Sequence, residues 1–142
     1  RWDGFCRRAH ERGVEAATFA TWSGCAMPMQ EFLEQADRFT AVQCGYDKVA
    51  ADLLLRLAER GLRVPDDMSV TGYDNCVAHC EHARVPITTI EQPAREMGRR
   101  AAQFLWERMI GLEPSAPRRV QLPPSLVVRS SAAAPRNSRS RT

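Results

Sequence analysis

The chain has 142 residues, 44% of them hydrophobic and 26% charged, the make-up of one globular domain of ordinary size. No apolar run approaches the roughly 18 residues needed to span a bilayer, and no secretory n-region and h-region opens the chain. The formal net charge of +3 is concentrated in residues 130–142, where Arg136, Arg139 and Arg141 meet no acid, so the remainder is near neutral and offers no basic stripe to nucleic acid.

Residues 2–12 carry Phe5 and Ala9 one turn apart, a short helical signal that Gly13 can end. Residues 14–20 read as a short strand of low polarity. Trp22, Ser23 and Gly24 form a loop, and Pro28 stands near the first turn of a helix with Phe32, Leu33 and Ala36 on its apolar face. Residues 40–44 are a compact strand, with Gly45, Tyr46 and Asp47 as its exit turn. Across residues 48–60, Val49, Ala50, Leu53, Leu54, Leu57 and Ala58 recur at a helical period that buries one side. Gly61 and Pro65 stop that helix. Residues 68–71 and 87–90 are further strands. Pro93 starts a helix lined by Met97, Ala101, Phe104, Leu105 and Met109 and closed by Gly111. A link through Pro114 and Pro117 leads to strand candidates at residues 120–122 and 126–129. Strands alternating with helices predict βαβ units and a parallel α/β sheet flanked by helices.

Residues 61–93 carry the most information. They read as helix stop, buried strand, a short turn bearing Asp74, and a second strand. In a parallel α/β sheet the carboxyl end of a strand is where ligands bind, so Asp74 marks a small-molecule site. The five cysteines (Cys6, Cys25, Cys44, Cys76 and Cys80) are odd in number and irregular in spacing. They argue against a disulfide framework and fit a reducing cytoplasm. The chain opens at Arg1, without a Met, where a helix begins, which leads us to expect a piece of something longer.

Several segments resemble one family when taken in order: RWDGF near the start, TAVQCGYDKVA, GLRVPDDMSVTGYDN, PITTIEQP and LPPSLVVRSS. Together they are similar to the lactose-repressor and purine-repressor family of bacterial transcription regulators, from Arg1 to about Ser131. Around GYDN and TTIEQP the likeness is to the purine-repressor side. The resemblance implies a periplasmic-binding-protein-like (type I) α/β core, incomplete at the N-terminus, with an effector held between two subdomains. On that mapping residues 1–92 are the partial C-terminal subdomain and residues 93–122 belong to the N-terminal one. Residues 123–131 are a return strand, and residues 132–142 form a disordered basic tail. The implied function is effector binding and dimerisation in a cytoplasmic repressor that senses a sugar, sugar acid or purine. The partners implied are the small-molecule effector, a second copy in a homodimer or tetramer, and operator DNA through an absent helix-turn-helix domain. No cofactor and no membrane enters that picture.

Asp74 can accept hydrogen bonds from hydroxyls or a ring N–H; the alternative is a turn-forming Asp whose side chain bonds local backbone. Arg1 matches the arginine of the family's R-x-x-G helix start, an effector contact by resemblance, or else a solvated helix-end arginine. Trp22 resembles the aromatic that stacks on the effector ring, or else it closes a loop over the core. Many sugar-responsive relatives place Asn before the Asp of the first exit turn, whereas Tyr46 precedes Asp47 here. Either the phenol reaches the effector or that contact is lost, which leaves the effector class open. Gln92 can contribute from the crossing strand or bond the hinge backbone.

Cys76, His79, Cys80 and His82 are candidates for a zinc set, since the first three would share a helical face. Structural zinc sites draw pairs from two segments, and His10 is the only histidine elsewhere, so a short surface helix is the simpler reading. No nucleophile–base constellation and no Gly-rich phosphate loop is present, and no enzyme is expected. The rival function is a periplasmic sugar-binding protein, which the unpaired cysteines and PITTIEQP disfavour.

Overall fold

The computed structural model describes residues 2–16, 27–112 and 117–134. The chain forms two compact units, Arg1–Arg38 and Phe39–Thr142. In the first, the regular elements among the described residues are helices. Helix α1 (Trp2–Glu11) has Asp3 in its first turn and Arg8 and His10 in its last, charges that complement the helix dipole. Helix α2 (Met27–Glu34) and a 3-10 turn (Ala36–Arg38) bury the expected face of Phe32, Leu33 and Ala36. Of the strand expected at residues 14–20, residues 14–16 are irregular and the rest lies outside the described residues.

The second unit is built around α3 (Asp47–Glu59). Ala50, Leu53, Leu54 and Leu57 recur at helical spacing and are buried on one face, while Lys48 pairs with Asp52 at 2.7 Å on the opposite one. The helix packs on β2 (Ser69–Thr71) and on the one-turn helix α4 (Val77–Cys80). It ends where Gly61, at φ 73°, donates to the Ala58 carbonyl and Leu62 donates to the Leu57 carbonyl. That pair of bonds is a Schellman cap, and only glycine takes its left-handed position without steric cost.

Strand β1 (Ala41–Gln43) runs parallel to β2, with Val42 opposite Val70. A parallel bridge from Thr71 to Thr88 carries the sheet on towards β3 (Thr89–Glu91). The last strand, β4 (Ser125–Val127), is antiparallel to β3, with Ile90 opposite Leu126. Parallel pairing therefore holds for the first strands, and the return strand reverses direction. Beyond β4, the Ser131 carbonyl accepts from the Val70 amide at 2.8 Å, and the Thr88 amide donates to the Ser131 hydroxyl at 2.8 Å. The returning chain is thus stitched to both β2 and the entry of β3. Met68, Val70, Cys80 and Ile87 complete the core.

Helix α5 (Ala94–Met109) leaves the sheet from Pro93, its N-cap, and buries no residue fully. Of its expected apolar face only Phe104 is half-buried, whereas Met97, Leu105 and Met109 are exposed. Arg118 lies over the Phe104 ring at 4.0 Å and pairs with Glu107 at 2.7 Å. The strand expected at residues 120–122 is irregular. Pro123 and Pro124 follow it at once, and proline both withholds an amide from a ladder and constrains the residue before it. No described helix is long and apolar enough to cross a membrane.

Candidate functional site

Three strand exits meet at one edge of the second unit. The Asp47 amide donates to the Tyr73 carbonyl at 3.1 Å, tying the exit of β1 to that of β2. The Asp74 amide donates to the Ile90 carbonyl at 2.8 Å, tying the exit of β2 to β3. The Gln43 side-chain amide Nε2 donates a further bond to the Gly72 carbonyl at 3.2 Å. These links fix the turns that carry the expected site residues.

Asp74 and Gln92, 18 positions apart, are brought together: the Gln92 side-chain amide donates to Asp74 Oδ1 at 2.6 Å. The Asp74 side chain thus bonds across the sheet edge. Both residues line an open hollow of about 750 Å³, with Glu91, Pro93, Ala94, Arg95, Glu96, Arg99, Pro123 and Ser125 around it. Arg99 and Arg100 grip Glu96 and hold its carboxyl well below the usual carboxylate range, at about 2. The hollow therefore has a hydrogen-bonding corner at Asp74 and Gln92 and the Glu96–Arg99 ion pair on its rim.

The turn bearing Asp74 is unusual in its backbone. Asp74 has φ 101° and Asn75 φ 54°, a region that non-glycine residues rarely occupy and that clusters at functional sites. Its anchors come from elsewhere in the chain. Arg129 Nη2 donates to Asn75 Oδ1 at 2.8 Å, Arg129 Nη1 donates to the Ile87 carbonyl at 2.9 Å, and Glu81 lies 3.5 Å from the same guanidinium. On the other side of the turn, the Cys76 amide donates to Asp47 Oδ2 at 2.6 Å.

Asp47 is placed differently from the effector contact expected of it. It is 1% exposed, and the Thr89 hydroxyl donates to its Oδ1 at 2.6 Å. Gly72 lies so close that a Cβ there would overlap the carboxylate. The physical reason is its position as the first residue of α3, facing inward beneath the β2 exit. There its two oxygens accept from the Thr89 hydroxyl and from the amide of Cys76, the N-cap of α4. Burial, and then the hydrogen bond to Asp47, push the Cys80 thiol up to about 12. Burial, and then the Asp47 charge, do the same for Cys44. Both thiols are accordingly protonated at neutral pH. Cys80, one of the residues weighed for zinc, is turned inward to Asp47 while Cys76 and His82 are exposed. Among the described residues no three metal-ligating side chains converge.

Tyr46 is 52% exposed at the β1 exit and does not line the hollow. Arg1 and Trp22 lie outside the described residues. Sequence reasoning passed over Asn75, Thr89, Arg129 and Ser131. The only available signal was that Asn75 and Arg129 sit inside the GYDN and LVVRSS segments.

A family model described as a periplasmic binding protein-like domain matches residues 1–132. The chain is similar to the HTH-type transcriptional repressor PurR of Mannheimia succiniciproducens, 36% identical over 92% of this chain and 40% of that protein. It is also similar to PurR of Vibrio vulnificus, 45% identical over 66% of this chain and 27% of that protein. Among solved structures, the transcriptional regulator CelR in complex with cellobiose superposes with a TM-score of 0.80 at 32% identity, over 91% of this chain and 41% of that one. The lac repressor dimer bound to operator and the anti-inducer ONPF superposes with a TM-score of 0.78 at 27% identity, over 94% and 47%. The chain thus spans less than half the length of these relatives.

Proposed function

Since the chain belongs to the family of periplasmic binding protein-like domains, as an effector-binding core of the lactose- and purine-repressor kind, we propose that it is the sensing and dimerising part of a cytoplasmic transcriptional repressor. The observation that carries this reading is the Asp74–Gln92 pair at the joined carboxyl ends of β2 and β3, opening into the hollow. Gln92 occupies one carboxylate oxygen of Asp74 and leaves the other to a ligand O–H or N–H. The effector class is a small polar metabolite with donors on its edge: a sugar, a sugar acid or a purine.

In the intact protein, residues 1–92 form one wall of the effector cleft, residues 93–122 belong to the opposing subdomain, and residues 123–131 return. An effector that bridges the two walls favours one relative orientation, and its differential affinity for two states shifts the DNA-binding heads of a homodimer or tetramer. Arg1, Trp22 and Tyr46 complete the proposed contact set. Asp47 supports the site from below.

The test is a thermal-shift screen of the full chain against hypoxanthine, guanine, ribose, cellobiose and gluconate. A ligand that binds only the native state raises the melting temperature. One of these probes is expected to do so, and Asp74→Ala to abolish the effect while still melting cooperatively. A shift that survives Asp74→Ala, or no shift from any probe, refutes the reading.

A further inference from the structure

We propose that Arg129 is a positioning residue of the Asp74 site: by closing on Asn75 Oδ1 it holds the Asp74–Asn75 turn in the positive-φ conformation that presents the Asp74 carboxylate to Gln92 and the hollow. This rests on the proposed role of Asp74 in effector binding.

Two adjacent non-glycine residues at φ 101° and 54° do not stay there on local preference, since such strained backbone persists only where the surroundings over-determine it. Asn tolerates the left-handed region better than most residues, but tolerance does not choose the conformation. The choice is made by contacts from distant parts of the chain. Arg129 stands 54 positions from Asn75 and is 15% exposed. Its fork is divided between Asn75 Oδ1 and the Ile87 carbonyl, at 2.8 and 2.9 Å. Its own backbone is locked to Thr88, whose hydroxyl donates to the Arg129 carbonyl at 3.1 Å and accepts from the Arg129 amide at 2.9 Å. The guanidinium is therefore fixed to the strand entry on one side and to the turn on the other. A lysine keeps the charge but lacks the planar fork whose two separate nitrogens reach these two acceptors. Arg129 itself does not line the hollow; it acts through the turn.

The experiment compares the wild-type full chain with Asn75→Gly and Arg129→Lys. Glycine at position 75 keeps φ 54° accessible and removes only the acceptor that Arg129 grips, so a folding defect does not mask the result. Amide hydrogen exchange reports directly on the turn. In both variants the Asp74 and Cys76 amides are expected to exchange at least about tenfold faster, the scale of one lost hydrogen bond to a charged group, while Leu53, Leu54 and Leu57 keep their wild-type protection. Affinity for whichever of hypoxanthine, guanine, ribose, cellobiose or gluconate the wild type binds falls by a similar factor.

Unchanged exchange at Asp74 and Cys76 overturns the proposal. So does acceleration spread equally through α3, because that is a merely structural role. If exchange quickens at the turn alone but no probe is bound by the wild type, or Asp74→Ala binds as well as wild type, the turn clamp stands and the effector reading of Asp74 is what fails.

Discussion

Gly72 and Asp47 belong together, and a double-mutant cycle measures how strongly. Asp47→Ala removes the acceptor for the Cys76 amide, which is part-buried, and for the Thr89 hydroxyl, which is buried, both at 2.6 Å. Hydrogen bonds to a charged group are worth about 1.5–3 kcal/mol each. Part of that loss is not recovered, because the buried Thr89 hydroxyl is left unpaired while water can reach the part-buried Cys76 amide; a cost of about 2–4 kcal/mol follows. Gly72→Ala acts on the same spot from the other side. The new Cβ overlaps Asp47 Oδ1 and lies 3.2 Å from Cγ and 3.3 Å from Cα of that residue. Overpacking in a buried site costs about 1–3 kcal/mol, here at the upper end because the group struck is a carboxylate already held by two donors. In the double variant the carboxylate is gone, and only the tight approach to the position-47 Cα, at 3.3 Å, persists. The double variant should therefore be about 2 kcal/mol more stable than the sum of the singles. The assay is urea unfolding of the full chain followed by circular dichroism, with the four midpoints compared at constant slope. Additivity within about 0.5 kcal/mol would refute the claim that the carboxylate dictates glycine at position 72.

Two thiols raised to about 12 from 9.0 give stability a pH dependence with a definite sign. Above the lower value the unfolded chain loses these protons while the folded one keeps them, so stability is full below about pH 9 and falls as pH rises towards 12, by up to about 1.4 kcal/mol per pH unit for each thiol. Cys80→Ser keeps a donor for Asp47 but does not titrate in this range, so its stability profile from pH 9 to 11 should be flatter than wild type; parallel profiles would contradict the assignment. Gly61→Ala should cost about 1 kcal/mol, read as a lower urea midpoint, because alanine resists φ 73° at the α3 cap. The Glu96 carboxyl should titrate near 2 by carbon-detected NMR and move upward in Arg99→Gln, since Arg99 is its leading partner.

What could be read from the chain alone followed from local rules. The spacing of Ala50, Leu53, Leu54 and Leu57 predicts α3, and Gly61 marks its end, because both depend on residues within a few positions. The pairing of Asp74 with Gln92 is not legible in the sequence, since a hydrogen bond across 18 positions is set by sheet register. Arg129 was illegible as a partner of Asn75 for the same reason at longer range: the contact exists because β4 returns antiparallel beside β3, a reversal that strand periodicity does not report. The apolar residues of α5 show the opposite failure. Their period predicts a helix correctly, but period says nothing about what covers the face, and Met97, Leu105 and Met109 stand exposed.

The two strand-exit aspartates show how one residue type takes two roles. Asp47 follows Tyr46 into a regular helix, so its side chain is carried inward by the helical turn and lands beneath Gly72, where the absence of a Cβ leaves room for its oxygens. Asp74 follows Tyr73 into a turn at positive φ, which directs its side chain outward to Gln92 and the hollow. The inward carboxylate holds the Cys76 amide, two residues beyond Asp74, so it also anchors the far side of the turn that exposes its counterpart. Geometry at the site thus depends on a buried charge and on Arg129 gripping the same turn from opposite ends. Weakening either anchor should loosen Asp74 without touching the hollow itself, and for that reason substitutions at Asp47 are expected to lower effector affinity even though Asp47 has no surface on which an effector could rest.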